Sequence, residues 1–413
     1  MSTPRRAGLR VLNEGARVTS LELFFDLVFV FAITQVSELM AHDPRWTGVL
    51  HGMLMLALLW WCWCCYSWMG NRVQADEGLA RLVLFAVTLV MLVASVTIPE
   101  AFHDLPGGLS GPVVFACCYL VVRVLHLVFY WLFSVGDAGL RRQLVRAAVP
   151  MGGGAALLFA ASFVPAHQTL LWVLALAVDY GGVLAIGAAG WSVRSASHFA
   201  ERHGLIIIIA LGESVVSIGV GVSSQPISWP IIFGIACGLV IAGTLWWSYF
   251  DVVAPVAERV LTKARGARRS ALARDSYTYL HLPMVAGIVL LSLGLKQAMS
   301  YLGGVHGASG SARLVGIPLY AMYGGVALYL VGHFGFRLRN VGSVNWARVV
   351  VTLLLVALVP VAAQLPVFGS LGLLTAVCVG WIGYEVLRYD DFRRSVRTGE
   401  HEHGESDMTD QTA

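Results

Sequence analysis

"LELFFDLVFVFAITQVSELM", Leu21 to Met40, is apolar enough to cross a membrane, yet it carries Glu22, Asp26, Gln35 and Glu38. A hydrocarbon core of about 30 Å needs roughly 20 helical residues at about 1.5 Å each, so the length fits a span. The carboxylates do not come free: insertion scales charge a mid-membrane Asp, Lys or Arg about +2.5 to +3.5 kcal/mol, so each acid needs a partner, water or a proton. The rest of the 413-residue chain decides for the membrane, because 57% of it is hydrophobic, 13% is charged, and similar stretches recur along nearly its whole length. That composition leaves no segment for a sizeable soluble domain. The basic residues Arg5, Arg6, Arg10 and Arg17 precede a long acid-bearing stretch without a small-residue cleavage site, which reads as a retained first span and not a signal peptide.

Hydropathy and breaker residues mark spans near 20–40, 48–69, 79–98, 112–134, 146–164, 169–190, 204–224, 230–250, 276–299, 315–336, 346–364 and 370–388. The expected fold is therefore an all-α polytopic membrane protein of about twelve transmembrane helices. Lys and Arg supply an independent check, since short cytoplasmic loops are enriched in them. With both termini inside, the inner segments hold nearly all of these residues, including six in the stretch from Arg259 to Arg274, and the outer loops hold only Arg45 and Arg313. The expectation is a multi-pass protein of the cell membrane with both ends cytoplasmic. The basic segment 256–275 reads first as a topology anchor and second as a contact for anionic lipid.

The chain also repeats weakly. "LWW" at Leu59 to Trp61 recurs at Leu245 to Trp247, an offset of 186, and near that offset Asp26 falls beside Glu213. Later the register becomes about 201, with Thr169 meeting Ser370 and Gly182 meeting Gly383. This predicts two parallel six-helix repeats with a site between them. The organisation expected is a basic cytoplasmic arm over 1–19, a first half over 20–190, a cytoplasmic linker over 191–203, a second half over 204–388 and a polar tail over 389–413.

The polar residues inside the spans carry the functional reading. Glu22 and Asp26 are four apart and share a helix face in the inner half of the first span. Glu213, in "GLIIIIALGESVVSIGVGV", lies about 13.5 Å along its span from Gly204, close to the bilayer centre, with Ser217 one turn on. Arg123, with His126 three residues later, and Asp179 lie at similar depth, so Arg123 is expected to pair with Glu213 or Asp179. Because the acids outnumber Arg123, at least one should be protonated or face a cation or water. Glu38 is expected to reach the headgroups, and Lys296 to snorkel at the outer end of span nine. Tyr277 and His281 share a face at the start of that span, and His198, Glu201 and Arg202 are placed near the cytoplasmic surface.

Cys62 and Cys65 share a face in "WWCWCCYSW" but lack a completing His or acid, so they read as packing, as does "GIACG" at Gly234 to Gly238. No metal site and no cofactor is expected; His401 and His403 are a weak hint only. H-E-x-x-H, G-x-S-x-G and the phosphate-binding G-x-x-x-x-G-K-[ST] are all missing, so no catalytic residues are assigned.

"LELFFDLVFVFAITQVS", "HFAERHGLIIIIALGESVVSIG", "LWWSYFD" and "YTYLHLPMVAGIVLLSLGLK" together resemble the bacterial low temperature requirement protein A (LtrA) family, over about residues 15–390. The resemblance implies a multi-spanning membrane protein linked to growth in the cold and supplies no substrate or catalytic residue. A fainter likeness is to potassium channels of six-helix units whose first helix follows an Arg with Phe-Ser-Asp; here Arg17 precedes "FFD", with Phe25 in place of the Ser. The leading functional reading is a transporter or channel-like protein for a proton, a monovalent cation or a small proton-coupled solute. Its pathway candidates are Glu22, Asp26, Arg123, Asp179 and Glu213, with His126, His198, Glu201, Arg202, Ser217, Tyr277 and His281 second. The lipid bilayer is the expected partner, and no nucleic acid. The alternatives are a membrane-embedded enzyme or lipid-modifying factor, which would gather its polar residues in an interfacial cleft, and a structural or sensing protein, in which every buried acid would be paired.

Overall fold

The computed structural model describes residues 12–304 and 312–388 and is helical throughout, with no strand among the described residues. The arm up to residue 11, the tail from 389, and with it His401 and His403, lie outside the described residues. In chain order the α-helices are α1 Ser20–His42, α2 Trp46–Gly70, α3 Gly78–Val96, α4 Gly111–Phe133, α5 Ala138–Ala161, α6 Gln168–Ile186 and α7 Ala196–Val220. There follow α8 Trp229–Phe250, α9 Val253–Lys263, α10 Gly266–Leu272, α11 His281–Leu302, α12 Ile317–Val341, α13 Trp346–Ala362 and α14 Val367–Arg388. Among the described residues, eleven helical stretches are long and apolar enough to cross a membrane, and α13 is a shorter apolar helix. The chain is thus an all-α, multi-pass membrane protein in a bilayer environment.

Two boundaries differ from the sequence expectation in ways that matter. α7 begins at Ala196 and not at 204, so most of the stretch read as a linker over 191–203 is helix, and His198 and Arg202 are buried within the bundle. The helix starts early because Ser195 caps it, its hydroxyl accepting from the His198 amide at 3.2 Å. Asn71, just past α2, secures the same turn by accepting from the Arg194 amide at 2.7 Å and donating to the Ser195 carbonyl at 2.7 Å. The basic segment read as a loop over 256–275 instead folds into α9, α10 and the start of a π-helical turn, Ala273–Tyr279.

α2 and α11 are the most enclosed helices. The π-helical turn joins them. Pro283 has no N–H to offer a carbonyl in the turn before it. Thr278 O, five residues back, accepts from Trp60 Nε1 at 2.8 Å, while Trp68 Nε1 donates to the Thr278 hydroxyl at 2.9 Å. The tryptophan-rich run of α2 is therefore a set of donors aimed at a neighbouring helix as well as bulk for the core. The "GIACG" glycines of α8 are packing positions: a Cβ at Gly234 would meet Leu302 and Met299, and one at Gly238 would meet Ile218.

α11 and α12 cross most closely at glycine. A Cβ on Gly287 would fall 2.5 Å from both the Gly325 carbonyl oxygen and the Tyr329 amide nitrogen. These are backbone atoms and cannot rotate away. Backbone contact through small residues is the usual route to tight helix association where lipid removes the hydrophobic drive between helices. Gly324, one residue from Gly325, faces open space. Gly287→Leu is therefore expected to lower the melting temperature of the detergent-solubilised protein by the equivalent of about 1–3 kcal/mol of overpacking or more, whereas Gly324→Ala leaves it unchanged; equal melting curves for the two variants would remove the close crossing.

Candidate functional site

α1 and α7 lie side by side and run parallel. Their cross-contacts climb in step: Glu22 with His198, Asp26 with Arg202, then Thr34 with Glu213. α11 joins them in the same direction, with His281 beside His203, Ser292 beside Ser214 and Lys296 beside Glu38. These are the first, seventh and ninth spans, and odd-numbered spans must share a direction if successive spans alternate. The three-helix seam is polar at both ends. Between the two polar levels the buried residues are apolar, among them Phe29, Ile206, Ile207, Ala210, Val285 and Ile288.

At the arginine-rich end, Glu22 closes a capping box with Thr19 and also receives His198 Nε2 at 3.1 Å on each oxygen. Asn71 Nδ2 lies 3.2 Å from the other ring nitrogen of His198, which ties α2 into the same group. One turn deeper, Asp26 Oδ1 accepts from Arg202 Nη2 and from Trp63 Nε1, both at 2.9 Å, and the guanidinium lies 5.5 Å from the Trp63 ring centre. Asp26 Oδ2 and Arg202 Nε and Nη1 are buried without a hydrogen-bond partner. Trp63 also meets the ring of His203, which packs edge-on against Tyr277 and His281 at 5.2 Å each. His281 Nε2 and the Tyr249 hydroxyl are 2.8 Å apart, while the Tyr277 hydroxyl and His203 Nε2 have no hydrogen-bond partner.

At the opposite end of the seam, Glu213 is 2% exposed and is held by hydroxyls alone. Thr34 donates to Oε2 at 2.5 Å and Ser217 to Oε1 at 2.7 Å. Ser214 and Ser292 are hydrogen-bonded beside it at 2.9 Å, and the buried Ser37 hydroxyl has no partner. Further along, Lys296 and Glu38 form an ion pair. This corrects the sequence expectation for both residues: at about one turn beyond Thr34 and Ser292 respectively, each finds the other across the helix interface before it needs the headgroups.

The remaining charges stand apart from the seam. Arg123 of α4 pairs with Asp179 of α6 and not with Glu213, its Nη2 donating at 2.6 and 2.7 Å. Tyr119 and Cys65 complete the group, the hydroxyl donating to Asp179 at 3.0 Å and Arg123 Nη1 donating to the thiol at 2.9 Å. His126 is buried between the rings of Tyr66 and Tyr130 and makes no hydrogen bond. Arg348 is buried at the start of α13, where it donates to Glu385 of α14 at 2.8 and 2.9 Å and contacts His333.

Among the described residues, three of the four acids named as leading pathway candidates therefore have a basic partner: Glu22 has His198, Asp26 has Arg202 and Asp179 has Arg123. The expected acid surplus shrinks to Glu213, because Arg202 belongs to the interior. Thr34, Trp63, Asn71, His203 and Ser292 were not identified from sequence. Two of them had a readable signal, since Thr34 lies one helical turn before Glu38 and His203 directly follows Arg202.

Residues 17–383 match the bacterial low temperature requirement A protein (LtrA) family. An uncharacterized protein of Rhizobium meliloti (strain 1021) is 28% identical over 394 residues, which cover 91% of this chain and 90% of its own. No solved structure matches the chain. The seam between α1 and α7 and the Thr278 joint are built from the very stretches on which the resemblance rested, and with the match running across nearly all described spans, the chain belongs to the bacterial low temperature requirement A family.

Proposed function

We propose that this chain is a transporter or channel-like protein that moves a proton, a monovalent cation or a proton-coupled solute along the α1–α7–α11 seam, in support of growth at low temperature. One observation carries the reading: Glu213 is a buried carboxylate in the membrane with two hydroxyl donors and no basic partner among the described residues. A purely structural protein would match that acid with a cation, as it does the other three, because an uncompensated intramembrane charge costs several kcal/mol. Left unmatched, Glu213 holds a proton or accepts a passing cation, and its hydroxyl neighbours suit either state, since a hydroxyl can donate to a carboxylate or accept from a carboxylic acid.

Asp26 is the counterpart at the arginine-rich end. Its free Oδ2 offers a second acceptor, with Arg202 holding the first. Thr34 lies eight positions beyond Asp26 along α1, about 12 Å of helix rise. The apolar side chains over that interval would separate two half-pathways, one ending at Asp26 and the other at Glu213, so passage requires the three helices to shift against one another. Placement in the plasma membrane belongs to the same proposal, and the distribution of Lys and Arg supports cytoplasmic ends.

The test is ion and proton flux in proteoliposomes of the full chain. Glu213→Gln, which keeps the shape of the side chain but removes its capacity for negative charge, is expected to reduce flux to the level of protein-free vesicles, and Asp26→Asn to slow it strongly. Unchanged flux in both variants, in protein that reconstitutes normally, would overturn the assignment. The Arg123 and Asp179 pair is read as scaffold, outside the path. Arg123→Met alone strands a buried carboxylate and is expected to cost about 3–5 kcal/mol of stability, while Arg123→Met with Asp179→Leu recovers much of it; the double variant, once reconstituted, should retain flux, and its loss there would bring the pair into the pathway.

A further inference from the structure

A cleft unconnected with Glu213 opens on the outside of α7, at its arginine-rich end. It encloses about 1190 Å³, part of it open to the surroundings, between α7, α8, α9 and the chain just before α1. Its polar lining is unusual for a surface beside lipid: Glu201 of α7, Glu258 of α9 and Arg17 lie around one space, with Tyr277 also lining it. Tyr277 is 1% exposed, and its hydroxyl is a buried donor without a hydrogen-bond partner among the described residues, a group that a ligand in the cleft could satisfy. The carboxylates of Glu201 and Glu258 act on each other as like charges, with Arg17 and Arg259 opposing Glu258. Glu258 is also the charge acting on Tyr277. Glu201 spends one oxygen on the Val18 amide at 3.1 Å, which fixes the chain before α1 as one wall.

The other walls are apolar. Phe250 and Ile208 line the cleft, and Ile208 is 47% exposed on the face of α7 that meets lipid. An occupant that offers a positive group to the two carboxylates, a negative group to Arg17 and an acceptor to a phenol, with an apolar portion along Ile208 and Phe250, would complement this lining. We propose that this cleft binds the headgroup of a zwitterionic phospholipid carrying a primary ammonium, with the ammonium at Glu201 and Glu258, the phosphate at Arg17 and Tyr277, and an acyl chain against Ile208 and Phe250. An ammonium with three N–H donors suits paired carboxylates better than a quaternary one, which has none to give. The site goes beyond the transport reading and does not depend on Glu213.

Native mass spectrometry of the full, delipidated chain tests it. Phosphatidylethanolamine, phosphatidylcholine and phosphatidylglycerol of equal chain length are added in turn, with free phosphoethanolamine as a fourth arm. The expected result is a bound phosphatidylethanolamine retained several-fold better than either of the other lipids, with weak binding of phosphoethanolamine because it has no chain. Glu258→Gln, on the half-buried outer helix where folding is least at risk, should lower that preference, and Glu201→Gln with Glu258→Gln should abolish it. Equal retention of the three lipids, a preference for phosphatidylglycerol, phosphoethanolamine binding as well as the lipid, or a preference unchanged in the double variant would each overturn the proposal.

Discussion

The contact between Asp26 and Arg202 decides how the bundle is assembled. Neither charge can remain in hydrocarbon alone, and each lies too far from its helix end for easy escape to water. Pairing them forces α1 against α7 in one register and one direction, and Trp63 brings α2 to the same carboxylate. Glu22 and His198, one turn away on the same two helices, repeat the match. With two successive turns of each helix committed in this way, α1 and α7 have little freedom to slide, and α11 packs into the groove they leave.

That constraint also explains why the polar residues divide into groups. A buried pair is most stable when every remaining donor and acceptor is satisfied locally, so charges collect hydroxyls, indoles and rings around themselves. Arg123 and Asp179 gather Tyr119 and Cys65; Arg348 and Glu385 gather Asn345 and Trp381. These groups join α4 to α6 and α13 to α14, on helices that otherwise show lipid a largely apolar surface. Glu213 departs from the rule by gathering hydroxyls without a cation, and the departure falls where three parallel helices meet.

The helices and their number were legible in the sequence because a bilayer imposes a length and a composition that no soluble environment does. Arg123 and Asp179 were readable as partners from depth alone. What depth cannot supply is azimuth: Arg123 was equally compatible with Glu213 until the helices were placed around one another. Arg202 was misplaced for a different reason. "HFAERHG" is polar enough to look like a loop, and only the Ser195 cap and Asn71 show that α7 starts before it. The pairing of Glu38 with Lys296 was hidden by its separation of 258 residues. The π-helical turn was hidden because a donor to one of its carbonyls, Trp60 Nε1 at Thr278 O, sits on another helix.

The Thr278 joint has a mechanical consequence. Two indoles of α2 grip one residue of the turn that begins the span of α11, one at its carbonyl and one at its hydroxyl. A helix held at two points cannot rotate about its axis independently of the body that holds it. The base of α11 and the C-terminal half of α2 therefore behave as one lever, and any opening of the seam has to pivot about that lever or bend α11 above it.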